Sequence, residues 1–293
     1  MFEKAMNIFI HGLAFGGMIS TLAVGFSLIF GVAKIVNMAH TAFYMIASFF
    51  IFTAITKLHV PLLLSSALSV VFTSLLAIVC YKLCFDRVKE HETAVMIISI
   101  ALAMLFQEIL LLIFGGQYYG IPPFFPGYME VSGIRISYKY IVAFATSFVA
   151  LGCLWYWLTK TRLGNAIRSV AQDREIANIV GIDVSRICMI ITAISAALAS
   201  VAGAVVAPIY SVHPLMWVPP LVMVLAAVVL GGLGSIKGSV IAAFILGFAE
   251  TSVIFLIPDG SFLRGAVSLA IMVVVLVIRP EGLYGVVFEE ERL

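Results

Sequence analysis

Asn37, His40, Thr41 and Tyr44 stand at offsets of 0, 3, 4 and 7 inside a largely apolar stretch, Gly25 to Ala47. On a helix they share one face. A polar stripe turned to lipid would be costly, so it must face other helices or a solute path. Two roles stay open for it: hydrogen-bonding glue between helices, or the lining of a translocation path. His40 has no carboxylate or second histidine at ligand spacing, so a catalytic or metal-binding role is not expected. Glu108, preceded by Gln107, and Glu250 are the acidic residues placed to lie within apolar segments. Each could relay an ion, or sit partnered near a helix end; the second is the preferred reading.

The elements that position these groups are membrane helices. Of 293 residues 63% are hydrophobic and 11% charged, with a mean hydropathy of +1.16, outside the range of soluble domains. About nine apolar segments approach or exceed the ~17–20 residues that cross a bilayer. They run over 7–30, 40–56, 60–81, 93–114, 139–158, 187–209, 217–233, 239–257 and 263–278. Strand-type alternation of the outer-membrane barrel kind is absent. The expected fold is therefore all-α: a polytopic bundle of about eight or nine transmembrane helices, some broken, forming one domain over 1–293. Whether 40–56 and 217–233 cross fully stays open. The apolar run after Lys4 is too long for a signal peptide and lacks a small-residue cleavage site. Cys80, Cys84, Cys153 and Cys188 fall in or beside helices and read as small packing residues.

One long polar segment interrupts this pattern: Thr159 to Arg186, TKTRLGNAIRSVAQDREIANIVGIDVSR. Leu163, Ile167, Val170, Ile176, Ile179, Val180 and Ile182 recur between its charges at near-helical spacing, which predicts one or two amphipathic helices. Placed in the cytoplasm, this loop puts twelve of the seventeen Lys and Arg residues inside and five outside, as the positive-inside rule favours. The inside group includes Lys89 and Arg292. Alternation then sets the N-terminus outside and the C-terminus inside. The outer loop 115–138 is rich in aromatics, Gly and Pro. It reads as a hydrophobic lid on the helix ends, with a docking surface for an extracytoplasmic partner as the alternative.

Glycine and polar residues break helices at Gly25–Ala47 and again at Val229–Glu250, where Gly231, Gly232, Gly234 and Gly238 cluster. Such backbone survives at membrane depth only where protein buries it or a wet cavity meets it. Each break lies between segments of the same predicted directions, which suggests a parallel internal repeat. No phosphate-binding glycine loop is present, since the glycine spacing of GGLGSIKGS does not fit one. If ATP drives this chain, another chain hydrolyses it. No nucleophile–base or metal constellation supports an enzyme.

RLGNAIRSVAQDREIANIVGIDVSR resembles the cytoplasmic coupling loop of branched-chain amino acid ABC transporter permeases. Arg162, Gly164, Arg168, Ala171, Gln172, Asp173, Ala177, Gly181, Ile182 and Asp183 fall on that pattern, and Glu175, Ala177 and Gly181 repeat the E-x-A-x-x-x-G core of importer permeases. FGVAKIVNMAHTAFYM, VVLGGLGSIKGSVIAAFILGFAE and the closing RPEGLYG resemble three further segments of that family. The resemblance spans nearly the whole chain and suits the shorter permease subunit of a high-affinity system. Thr41 and Ala42 depart from it, standing where such subunits often carry Gly-Glu.

The resemblance implies a transmembrane importer subunit of the bacterial inner membrane that moves branched-chain or other hydrophobic amino acids. Its implied partners are a second homologous permease, two cytoplasmic ATPase subunits that carry ATP and Mg, and an extracytoplasmic solute-binding protein. This chain would bind no cofactor itself. The ATPase-coupling residues would be Arg162, Gly164, Arg168, Gln172, Asp173, Glu175, Ala177, Ile179 and Gly181, with Ile176 and Ile179 buried in the ATPase. Asn37, His40, Thr41 and Tyr44 would line the path. The alternatives are a permease for urea, an amide or another amino acid, or an ion-coupled carrier acting through Glu108 or Glu250.

Overall fold

A computed structural model describes residues 2–88, 91–131 and 134–285; Lys89 and Arg292 of the charge tally lie outside them. Among these residues eleven α-helices run in the order α1 (Phe2–Ala33), α2 (His40–Leu58), α3 (Leu62–Cys80), α4 (Glu92–Phe114), α5 (Tyr138–Lys160), α6 (Arg162–Gln172), α7 (Arg174–Ile179), α8 (Val184–Val206), α9 (Val218–Gly231), α10 (Ile236–Leu256) and α11 (Ala266–Ile278). Seven of them, α1 to α5, α8 and α10, are long and apolar enough to cross a membrane. The protein is a polytopic helical membrane protein. A π-helical turn, Tyr81–Phe85, extends α3.

Small residues decide which helices meet. α1 runs through the interior between α5, α8 and α10. Gly12 and Gly16 receive the rings of Phe248 and Phe244, and a Cβ on Gly247 would stand 2.6 Å from the Gly16 Cα. α8 presents Ser195, Ala196, Ala199, Ser200, Ala202 and Gly203 as a buried small-residue stripe. A Cβ on Gly203 would stand 2.7 Å from the Tyr44 carbonyl of α2, and the hydroxyls of Ser69 (α3) and Ser200 meet at 2.9 Å. Without a hydrophobic effect between helices in lipid, close backbone approach and such hydrogen bonds carry the packing. α3 and α4 turn large apolar side chains outward, among them Leu63, Phe72, Leu75, Ile97 and Leu112, which suits lipid-facing elements.

Two segments re-enter the membrane region. After α1 ends at Ala33, residues 34–39 climb back so that α2 starts against Leu22 and Gly25 of α1, ~12–16 Å above the end of α1 at ~1.5 Å per residue. On the opposite side, 207–217 dips inward: Val212 pairs with Tyr119 of the loop between α4 and α5, and the Trp217 Nε1–H donates to Gln107 Oε1 (2.8 Å), deep on α4. α9 starts from that point and has 14 residues, ~21 Å, so it spans only together with its re-entrant lead.

The glycines at 231–238 behave differently. Gly232 and Gly234 have φ of +99° and +83° and turn the chain sharply from α9 into α10 at the side where α1 ends. Gly231 and Gly238 touch backbone to backbone, so a Cβ at either would collide. The RPEGLYG segment tucks beneath: the amides of Leu283 and Tyr284 donate to the Leu230 and Gly231 carbonyls (2.8 and 3.0 Å). Those carbonyls are otherwise orphaned at a helix C-terminus. The expected parallel repeat therefore pairs unlike elements, a re-entrant segment and a tight turn. The counterpart of 34–39 is 207–217, and the helices that follow them, α2 and α9, run in opposite directions.

The loop 115–137 also holds an antiparallel hairpin, β1 (Tyr128–Val131) and β2 (Ile134–Ser137), with Glu130 opposite Arg135. Tyr119 packs its ring among Phe49, Phe52 and Phe114 at 4.5–6.4 Å, so part of this loop closes over the helix ends, as a lid would.

Candidate functional site

The polar loop folds into two capped helices. The Thr161 Oγ1 accepts from the Gly164 amide (3.0 Å) and starts α6; Asp173 Oδ1 accepts from the Ile176 amide (2.9 Å) and starts α7; Asp183 Oδ1 accepts from the Arg186 amide (3.0 Å) and starts α8. Each is an N-cap that satisfies an orphaned helix donor. α7 ends in a Schellman motif, with the Gly181 amide donating to the Asn178 carbonyl and the Ile182 amide to the Ala177 carbonyl (both 3.0 Å). Gly181 holds φ +92° there, a conformation that favours glycine. Gly164 is also required sterically, because a Cβ would strike the Leu158 carbonyl.

These caps aim the side chains. Ile167, Val170 and Ala177 are buried and fix the two helices to the bundle. Arg162, Arg168, Gln172, Asp173 and Glu175 are exposed, and Arg168 Nη2 donates to Asn165 Oδ1 (2.6 Å). Ile176, Ile179 and Val180 are 60%, 83% and 75% exposed beside these charges. A cluster of bare aliphatic side chains beside charged ones is an exposed apolar patch of the kind that interaction surfaces carry.

Arg174, which the sequence did not single out, turns inward. Its Nε and Nη2 both donate to the Val32 carbonyl, at 3.1 and 2.9 Å. Val32 lies in the last turn of α1, where carbonyls lack helical partners. α7 is thus bonded to the end of α1, two residues before the chain re-enters at Lys34.

At the far end of that re-entry lies the polar cluster. Asn37, His40, Thr41 and Tyr44 are all at most 3% exposed. The His40 Nε2–H donates to the Leu22 carbonyl (3.0 Å), and its Nδ1 lies 2.8 Å from Ser195 Oγ, itself 2.9 Å from the Gly25 carbonyl. The single Ser195 hydrogen serves either His40 or Gly25. The ring fits because residue 25 has no side chain; a Cβ there would stand 2.8 Å from His40 Cε1. Asn37 Oδ1 accepts from the Ala39 amide (3.0 Å), and the Met38 amide donates to Ser99 Oγ (3.0 Å). Asn37 Nδ2 and Thr41 Oγ1 are buried without a hydrogen-bond partner. His40 is joined to α1 and α8 and the adjoining re-entry to α4, while two polar atoms keep unused bonding capacity.

Glu250 is 1% exposed. Its Oε1 accepts from the Gly265 amide (2.8 Å), the Ser268 amide (3.3 Å) and the Ser268 hydroxyl (2.7 Å). A carboxylate at the first turn of α11 satisfies orphaned donors and meets the positive end of the helix dipole. Its partner is a helix N-terminus rather than a cation. Glu108 is exposed on α4 and accepts from Gln107 Nε2 (3.2 Å). No group of three or more His, Cys, Asp or Glu side chains could hold a metal among the described residues.

Membrane-spanning helices that carry a structured polar loop are found here in a chain whose relatives are transport permeases. The chain belongs to the family described as branched-chain amino acid transport system / permease component, which matches residues 8–276. It is 29% identical to the high-affinity branched-chain amino acid transport system permease protein BraD of Pseudomonas aeruginosa, over 94% of each chain. It is 28% identical to LivH of Escherichia coli, which bears the same description, again over 94% of each. A shorter stretch of 101 residues, 32% of each chain, is 38% identical to the ribose import permease RbsC of Escherichia coli. No solved structure matches.

Proposed function

We propose that this chain is the shorter permease subunit of an ABC importer for branched-chain amino acids, with its N-terminus outside and C-terminus in the cytoplasm. A second homologous permease completes the membrane unit, two ATPase subunits carrying ATP and Mg dock on residues 159–186, and an extracytoplasmic binding protein delivers the amino acid. The observation that carries this reading is the bare aliphatic cluster Ile176, Ile179 and Val180, held out from the bundle by three N-caps and a Schellman motif.

Coupling runs through Arg174. Movement of α7 under the ATPase displaces the Val32 carbonyl it grips, and with it the re-entrant segment that ends at His40. An effector shifts a conformational balance only through interactions that differ between the states; the Arg174–Val32 and His40–Ser195 contacts are the differing interactions in this account. The unpartnered Asn37 Nδ2 and Thr41 Oγ1 favour a path role over a purely adhesive one. The test is ATP-dependent uptake by the reconstituted complex, and loss of ATPase association on Ile179→Asp.

A second substrate reading has its own support. Thr41 and Ala42 replace the Gly-Glu that the resembled subunits often carry, and part of the chain is similar to a ribose permease. The same reconstitution with urea, amides, other amino acids and ribose decides it.

A further inference from the structure

We propose that the groove over α1, flanked by α5 and α10, holds one anionic phospholipid of the leaflet on the polar-loop side. The groove encloses about 1200 Å³. Its walls are apolar, with Phe144, Phe148 and Trp155 from α5 facing Val240, Phe244 and Phe248 from α10. Its mouth is not apolar. Lys34, Arg168 and Lys237 line it there from three elements, and among the described residues no Asp or Glu lines the groove. Lys34 and Lys237 are exposed and make no ion pair among the described residues. The N-terminus of α10, a 21-residue helix, opens at the same mouth through Ser235, Ile236 and Lys237, and helix N-termini favour anions. Deeper inside, Ser27 lines the groove with a fully buried hydroxyl that has no partner.

The dimensions select the ligand. From Ser235 to Phe248 along α10, and from Phe144 to Thr159 along α5, the groove runs ~20–22 Å at ~1.5 Å per residue. Half of a bilayer including headgroups is ~20–22 Å. A basic mouth over an apolar channel of that length fits one phospholipid, its phosphate among the cations and its chains along the aromatic walls. Basic pockets between membrane helices on the cytoplasmic side bind anionic headgroups for this reason. Because Ile167, Arg168 and Ala171 of α6 also line the groove, the lipid would bridge the polar loop to α1 and α10. This inference is independent of which solute is carried.

The test is lipid retention. The full chain is exchanged through nanodiscs of equal phosphatidylglycerol and phosphatidylcholine, re-extracted gently, and its bound lipid measured by mass spectrometry. The wild-type chain retains phosphatidylglycerol selectively. Lys34→Gln with Lys237→Gln lowers that selectivity at least about fivefold, given that each cation near an anionic leaflet is worth about that factor. Gly152→Leu, where a new side chain enters open space, lowers retention of both lipids. Equal retention of the two lipids by the wild type, or selectivity untouched by the double variant, overturns the proposal. Cross-linking of a Gly152→Cys variant to a second permease subunit in the assembled complex would assign the groove to protein instead and overturn the proposal.

Discussion

Arg174 grips the Val32 carbonyl with two hydrogen bonds across 142 positions of sequence, fastening the short surface helix α7 to the end of the most enclosed membrane helix. That contact joins the face a soluble engine would push to the backbone leading to the buried polar cluster. Arg174→Lys keeps the charge and loses the two-pronged geometry. Hydrogen bonds from charged groups contribute ~1.5–3 kcal/mol, so uptake should fall about tenfold or more. ATPase association should persist, because Ile176, Ile179 and Val180 remain. Uptake and co-purification measured together check this; parallel loss of both would show that Arg174 only holds the docking surface in shape.

Ile179 is 83% exposed, so Ile179→Asp should leave thermal stability of the chain unchanged. Burying an isoleucine contributes ~1.5–3 kcal/mol, and a charge in its place adds a desolvation cost. ATPase affinity should therefore drop at least about tenfold. Titration of the ATPase onto the detergent-solubilised chain reads it directly, with the variant's melting temperature as the check on its fold.

Thr41 is fully buried with an unpartnered hydroxyl. A Thr41→Cys thiol should resist a membrane-impermeant maleimide at rest and become reactive in the complex turning over ATP and solute. Reactivity that never changes would leave the cluster as interhelical glue.

Glu250 bonds to the first turn of α11. Glu250→Leu strands the Gly265 amide and the Ser268 hydroxyl, costing ~1–3 kcal/mol, while Glu250→Gln keeps an acceptor and should cost less. Melting temperatures should rank wild type, Gln, Leu. Uptake by the Gln variant should still follow ATP; uptake lost with normal stability and tied to a proton gradient would make Glu250 an ion relay.

The spans were legible because uninterrupted apolar runs have few alternatives to crossing helices. The two amphipathic helices were legible from the spacing of Ile167, Val170, Ile176 and Ile179, although of these only Ile167 and Val170 turn inward. Depth was not legible. Nothing near His40 shows that it lies beside Leu22, since the climb of 34–39 is set by Gly25 making room and by Ser195, 155 positions away. The short form of α9 hid for the same reason: residues 217–233 are apolar throughout, and only the Trp217–Gln107 bond reveals that the helix begins inside the membrane region. Glu250 lacked an obvious partner because a helix N-terminus carries no charged side chain to notice. The hairpin had a signal in the alternation of Met129, Val131, Ile134 and Ile136 about Ser132-Gly133, obscured by the many turn residues before it.

The most direct measurement is radiolabelled leucine uptake into proteoliposomes holding this chain, alone and with a second permease, the ATPases and a binding protein, with ATP and the proton gradient varied separately. The account predicts uptake that needs ATP and every partner, and that ignores the gradient. Gradient-driven uptake by this chain alone would contradict it.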